Sequence, residues 1–184
     1  MIQERNALTG LGRLEVADRL SVAAADDCAR FSLRVRAEGR AKAGDAFGST
    51  LPARIGDLAS VGDRLAICLG PDEWHLTAPS GEAGAIEERF AATMDGAYSL
   101  VDVSHREVGI DVRGPAATLA LSSFCALDLE AMPSGSATRT ILDKSQAVLI
   151  KHATDHYRVE VWHSFAGHVW TLLGAVRREI ALDI

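Results

Sequence analysis

Three residue types that could do hydrolytic chemistry stand close together at Asp102, Ser104 and His105. They would form a triad only if the imidazole reached the hydroxyl and the carboxylate held the imidazole. The surrounding sequence alternates like a strand. In a strand Asp102 and Ser104 point to one face and His105 to the other. Neighbouring strand residues cannot meet in triad geometry, so a hydrolase built on Ser104 and His105 ranks behind the readings below. Asp102 and Ser104 are instead expected to satisfy backbone groups in the turn before Arg106, with His105 structural or turned toward a partner.

The histidines are His75, His105, His152, His156, His163 and His168. His152 and His156 flank the turn Ala153-Thr154-Asp155, and His163 ends the next apolar run, so they could gather at one sheet edge. A zinc site needs three or four ligands in fixed geometry, and no cysteine supports these. Surface histidines and no metal are expected. Cys28, Cys68 and Cys125 are an odd, widely spaced set without a CxxC pair, which suits a reduced, cytoplasmic setting. Cys68 lies in an apolar run and reads as a small core residue. Trp74 and Trp162 end strands, where an indole can be half-buried with its N–H in water or in an interface. Trp170 reads as core.

Composition narrows the choices. A chain of 184 residues is long enough for one compact unit or two small halves, with no need of disulfides. Its net charge of −6 comes without a Lys/Arg run, so no basic face for nucleic acid is visible. No apolar run approaches the ~20 residues of a membrane span. No basic segment followed by an apolar run opens the chain, so a secretory signal is not expected. The glycines form neither a GxGxxG nor a phosphate-loop pattern, leaving no sequence case for a bound nucleotide.

The elements that would position these residues follow from hydrophobic spacing. Residues 1–27 have scattered leucines (Leu8, Leu11, Leu14) and no sustained period, and read as an extended arm, frayed or lying on a partner. Residues 31–37 alternate as a half-buried strand, and residues 39–47 read as a short helix closed by Gly48. Residues 51–62 read as a loop; strands at 64–69 and 74–78 flank a Gly70-Pro71 turn; a helix at 82–94 and a strand at 98–103 follow. This is the ferredoxin-like order β-α-β-β-α-β for residues 28–104. Residues 105–184 begin to repeat it: a strand at 106–113, a helix opened by Gly114-Pro115, strands at 138–142, 147–151 and 157–162, and a helix at 165–181 capped by Ser164. No strand follows. The second half is therefore expected to be incomplete and to share a sheet with the first half or a partner. The fold class is α+β, two ferredoxin-like halves with antiparallel sheets.

The ordered motifs also carry a resemblance. Asp102-Val103-Ser104-His105, then Gly114-Pro115, then Asp128-Leu129, resemble the opening of the folate-binding aminomethyltransferase fold of the glycine-cleavage T-protein. Leu69-Gly70-Pro71-Asp72-Glu73-Trp74 and Tyr157-Arg158-Val159-Glu160-Val161-Trp162-His163-Ser164-Phe165 resemble, more closely, the gamma subunit of heterotetrameric sarcosine oxidase. The resemblance implies a subunit of a complex that oxidatively demethylates sarcosine to glycine, with alpha, beta and delta partners. It also implies that flavins, NAD, tetrahydrofolate and zinc belong to those partners and not to this chain. Leu8, Leu11, Leu14, Trp74 and Trp162 are then the partner-contact candidates.

Departures from the resembled enzymes bear on catalysis. Where aminomethyltransferases open a strand with Gly-Gly and a pair of aspartates, this chain has Lys144-Ser145-Gln146-Ala147-Val148, with no carboxylate. Where they end the next strand in Val-Asn-Ala, it has Val159-Glu160-Val161-Trp162. Their Gly-Ala-Arg-Asp segment is not found before Ile184. Cys125, in Ser-Phe-Cys-Ala-Leu, does not match the Lys-Gly-Cys-Tyr motif of the iron–sulfur maintenance relatives. No catalytic residue is expected, Asp102, His105 and Glu160 remain as vestiges of a pocket, and the chain reads as a scaffold. The alternative is a stand-alone folate-binding or aminomethyltransferase-like protein.

Overall fold

The computed structural model describes residues 6–184. The chain divides into two units, residues 27–104 and residues 1–26 with 105–184.

In the unit of residues 27–104, β3 (Cys28–Val35) alternates Phe31, Leu33 and Val35 onto one face, and all three are buried. Helix α1 (Arg40–Phe47) follows and ends where Gly48 adopts φ +81°, its N–H closing on the Gly44 carbonyl at 2.8 Å. Next come β4 (Leu58–Val61), β5 (Arg64–Gly70), β6 (Glu73–Pro79), helix α2 (Ala83–Thr93) and β7 (Tyr98–Asp102). The sheet is antiparallel in the order β4-β5-β6-β3-β7. Without β4 that is the ferredoxin-like arrangement, with strands from split β-α-β units interleaved. Phe47 of α1 and Ile86 and Phe90 of α2 pack with Phe31, Leu33, Trp74 and Leu76 as its core. The stretch expected as a loop contains β4, a four-residue edge strand whose burial does not alternate clearly.

The other unit uses the same plan with a different chain order. Strand β8 (Glu107–Arg113), helix α3 (Ala117–Ser122), β9 (Ser136–Leu142), β10 (Ser145–Ala153), β11 (His156–Trp162) and helix α4 (His163–Leu182) follow one another. With β1 (Leu14–Val16) and β2 (Leu20–Ala24) from the start of the chain, the six-stranded sheet runs β1-β2-β8-β11-β10-β9. The fourth ferredoxin-like position, missing after α4, is filled by β2 (Leu20–Ala24), which pairs antiparallel with β8. β1 (Leu14–Val16) adds a further strand outside it. The expectation of an extended N-terminal arm and an incomplete second half is therefore corrected. Leu20 and Val22 alternate onto the core face, and Leu8 is buried in the same core. Those side chains lack a core locally because their partners lie at the far end of the chain.

Gly114 explains part of this closure. Its φ is +108°, and a Cβ there would lie 2.5 Å from the Arg19 carbonyl oxygen. That carbonyl accepts the Ala116 N–H at 2.9 Å, so the β1–β2 hairpin is tied to the start of α3. Arg19 also donates to the Ile180 carbonyl at 2.9 Å and pairs with Asp183, fastening the hairpin to the end of α4. Helix α4 starts at His163, and its N-cap residue is Trp162, which makes no side-chain capping bond. The expected Ser164 cap is thus displaced into the helix. Ala166, Val169, Trp170, Leu173, Val176 and Ile180 form its buried stripe.

Candidate functional site

The polar ladder lies on the face of the six-stranded sheet away from its helices. Val108, Ile110 and Val112 of β8, and Tyr157, Val159 and Val161 of β11, belong to the helix-side core. Alternation puts Glu107, Gly109, Asp111 and Arg113 on the other face, opposite Trp162, Glu160, Arg158 and His156 respectively.

Glu160 is buried, and Arg158 donates to its Oε1 through Nε at 2.6 Å. Gly109, across from Glu160, makes room for that guanidinium: a Cβ there would stand 2.9 Å from Arg158 Nη2 and 2.9 Å from the Ala25 Cβ. Buried Glu107 accepts from Arg106 Nη2 at 2.8 Å, and the same guanidinium stacks over the Trp162 ring at 5.7 Å. Asp111 pairs with His156 at 3.2 Å and with Arg113 at 3.7 Å. His152 and His156 have ring centroids 4.7 Å apart. Crowding by the protein, then the charges of His156, Arg158 and Arg113, hold His152 below its ordinary value of 6.5, with Asp111 pulling the other way.

Each of these three carboxylates, Glu107, Asp111 and Glu160, has a cationic neighbour. An engaged carboxylate orders a sheet face, but a general base must be able to take a proton from substrate. Beside the ladder, a cleft of about 270 Å³ is lined by Arg13, Ser21, Asp26, Asp111 and Arg113. That is below the usual size of a small-molecule pocket. Among the described residues no three His, Cys, Asp or Glu side chains gather where they could hold a metal ion.

Asp102 and Ser104 form a clasp. Asp102 Oδ1 accepts the Ser104 N–H at 2.8 Å and its hydroxyl at 2.5 Å, and Ser104 Oγ accepts the Arg30 N–H at 2.9 Å. The Asp102 bond to the Ser104 N–H lies in the turn before Arg106, as expected, and the hydroxyl also fixes this end of β7 to β3. His105 is exposed in the turn before β8. Among the partner-contact candidates, Leu11 (48% exposed) and Trp162 (42%) reach the surface, and Leu14 is partly buried. Leu8 and Trp74 are each 1% exposed and are withdrawn as contact residues. Trp74 satisfies its indole inside its unit, donating from Nε1 to the Pro52 carbonyl at 2.9 Å. Cys68 is buried, donates to the Gly70 carbonyl at 3.2 Å, and its thiol is pushed up chiefly by burial. Sequence reasoning missed Arg158, Asp111 and Gly109, because their meeting depends on the β8–β11 register.

This fold is similar to that of the glycine cleavage system aminomethyltransferase T of Bartonella henselae, with a TM-score of 0.61 at 12% identity, covering 85% of this chain and 46% of that one. It is similar over nearly its whole length to a chain of the heterotetrameric sarcosine oxidase from Corynebacterium sp. U-96, with a TM-score of 0.87 at 23% identity, covering 97% and 96%. The sarcosine oxidase gamma subunit family model matches residues 37–179, and the chain belongs to that family. A sarcosine oxidase subunit gamma of Arthrobacter sp. is 35% identical over 92 residues, 50% of this chain and 45% of that protein. This match therefore spans about half the length of that relative. The subunit gamma of Corynebacterium sp. (strain U-96) is 29% identical over 155 residues, 79% of this chain and 73% of that protein. Among the described residues no helix is long and apolar enough to cross a membrane.

Proposed function

We propose that this chain is a non-catalytic gamma subunit that assembles into a heterotetrameric sarcosine oxidase in the cytoplasm. The observation that carries the reading is the family match over residues 37–179. The engaged state of the carboxylates supports the non-catalytic part: Arg158 on Glu160, Arg106 on Glu107, and the Ser104 clasp on Asp102. Alpha, beta and delta subunits are the partners, and flavins, NAD, tetrahydrofolate and zinc belong to them. The complex oxidises sarcosine to glycine, and this chain contributes surfaces that hold it together.

Co-expression with alpha, beta and delta subunits, followed by gel filtration, tests the assembly role. The chain should co-elute, and leaving it out should lower the yield of intact complex. Assembly of the other three without loss, with this chain eluting alone, sinks the proposal. Calorimetric titration of the lone chain with tetrahydrofolate tests the rival. Saturable heat at micromolar concentration would favour a folate-binding protein.

A further inference from the structure

The two units finish their sheets differently at one equivalent edge. In the six-stranded sheet the fourth-position strand β2 is covered by β1, which pairs Leu14 with Val22 and Val16 with Leu20. Leu14 packs toward Gly174 of α4, so β1 lays an apolar-x-apolar pattern on the helix side. In the five-stranded sheet the equivalent strand is β7, and among the described residues no strand pairs with its outer side.

The polarity of that edge follows from its ladder. Val103 N–H bonds to the Arg30 carbonyl at 2.8 Å. In an antiparallel pair the bonding residues alternate, so Val101 and Ser99 also bond toward β3. Tyr98, Leu100 and Asp102 therefore turn their N–H and C=O groups outward. Natural edges are blunted by lysine, proline, a bulge or short length. β7 has no lysine and no proline, its register with β3 is unbroken, and Tyr98 (36%) and Val101 (51%) are exposed. By contrast, β4 is only four residues long, and β9 carries Arg139 and is bridged at its end by Cys125 to Leu142.

We propose that the outer edge of β7 docks an extended segment of a partner chain, added antiparallel with an apolar-x-apolar pattern on the helix side and a Lys or Arg beside Asp102. The proposal rests on the reading of this chain as a subunit. β1 shows what the same sheet plan accommodates at this position. A second copy fits less well. Self-pairing about Leu100 sets Tyr98 against Asp102 and supplies no cation there. It also brings together two chains of net charge −6 on a five-residue strand, where a stable interface buries roughly 1,200–2,000 Å². A strand from a subunit also held elsewhere needs no such area.

The test co-expresses the alpha, beta and delta subunits with the wild-type chain, Val101→Lys, Tyr98→Pro, or the control Ile141→Lys on β9. Proline at position 98 removes an outward N–H and, with the ring, the Tyr98 contact 5.9 Å from Phe90, whereas Val101→Lys leaves that contact in place. The wild type and the control should co-elute. Amides of Tyr98, Leu100 and Asp102 should exchange about tenfold more slowly in the complex than in the free chain, and each β7 variant should recover about tenfold less complex with an unchanged circular dichroism spectrum. Co-elution of the wild type without slowed exchange at β7, or undiminished recovery of both β7 variants, overturns the docking edge and leaves the subunit reading standing. Failure of the wild type to co-elute overturns both. A concentration-dependent dimer of the chain alone that slows the same amides, and that both β7 variants dissolve, replaces the partner strand with a second copy.

Discussion

The unit of residues 27–104 takes its four ferredoxin-like strands from one continuous stretch, whereas the other unit borrows its fourth strand from the opposite end of the chain. The helix that precedes the closing position also differs. α2 has 11 residues and leads directly into β7; α4 has 20 residues, ends in solvent, and receives β2 and β1 from residues 14–24. One sheet plan thus tolerates two chain orders, because what the core requires is a strand with alternating apolar residues, not a particular connection. The difference is thermodynamic as well: a unit closed by a remote segment must bring distant residues together before their burial is gained.

Deleting residues 1–26 should break the comparison most strongly. It removes Leu8, Leu20 and Val22 from one core, and none of the three belongs to the other. At about 1.5–3 kcal/mol for each buried side chain, the loss is comparable to the whole stability of an ordinary domain. Hydrogen exchange should then find residues 105–184 unprotected and residues 27–104 still protected. Equal protection of both would return the segment to the status of an arm.

The two strand-end tryptophans sharpen the contrast at the next scale. Trp74 is 1% exposed and donates to Pro52, so Trp74→Ala should cost about 3–5 kcal/mol in urea unfolding. Trp162 is 42% exposed under the Arg106 guanidinium, and Trp162→Ala should cost about 1 kcal/mol or less. A large cost at Trp162 would mean that its packing with Phe165, at 6.5 Å between rings, matters more than its exposure suggests.

Within the polar ladder, Gly109→Ala places a methyl 2.9 Å from the Arg158 guanidinium and from Ala25. The arginine must leave Glu160 or the strands must part, at about 1–3 kcal/mol. Arg158→Ala removes the guanidinium that donates to buried Glu160 and is costly alone, but it should cost less in the Gly109→Ala background if the guanidinium is the obstacle. Purely additive losses would locate the clash at Ala25 instead.

Much of this was legible before any coordinates. Alternation in β3, β8 and β11 marked both cores, and the steps of four and three through Val169, Leu173 and Val176 marked α4. The Asp102–Ser104 bonds before Arg106 were legible because they are local, whereas the bond of Ser104 Oγ to Arg30, 74 residues away, was not. β1 and β2 were not found, though Leu20 and Val22 alternate, since two buried residues in a short strand look like scatter until β8 is set beside them. For Trp74 the sequence leaves core and partner contact equally open, because its hydrogen-bond acceptor, Pro52, lies 22 residues away in sequence. The Asp111, Arg158 and Glu160 ladder stayed hidden for a similar reason: it needs a cross-strand register that composition does not encode.

The smallest expected effect concerns pH. His152 is held below its ordinary 6.5, so the folded chain prefers the neutral ring more than the unfolded chain does. The contribution is therefore fully present above about pH 6.5 and declines as pH falls toward the lowered folded value, where the unfolded state binds the extra proton. Asp143 offers the contrast. Its hydrogen bond from His168 holds it below 3.8, so its contribution is present above that value and is lost only in stronger acid. Between pH 5 and 7 the two windows separate. His152→Gln should flatten the fall in urea midpoint between pH 7.5 and 5.5. The His152 ring keeps an exposed face, which limits the effect. An unchanged slope in His152→Gln would show that the ring stays hydrated and that solvent screens the charges of His156, Arg158 and Arg113 at this end of the ladder.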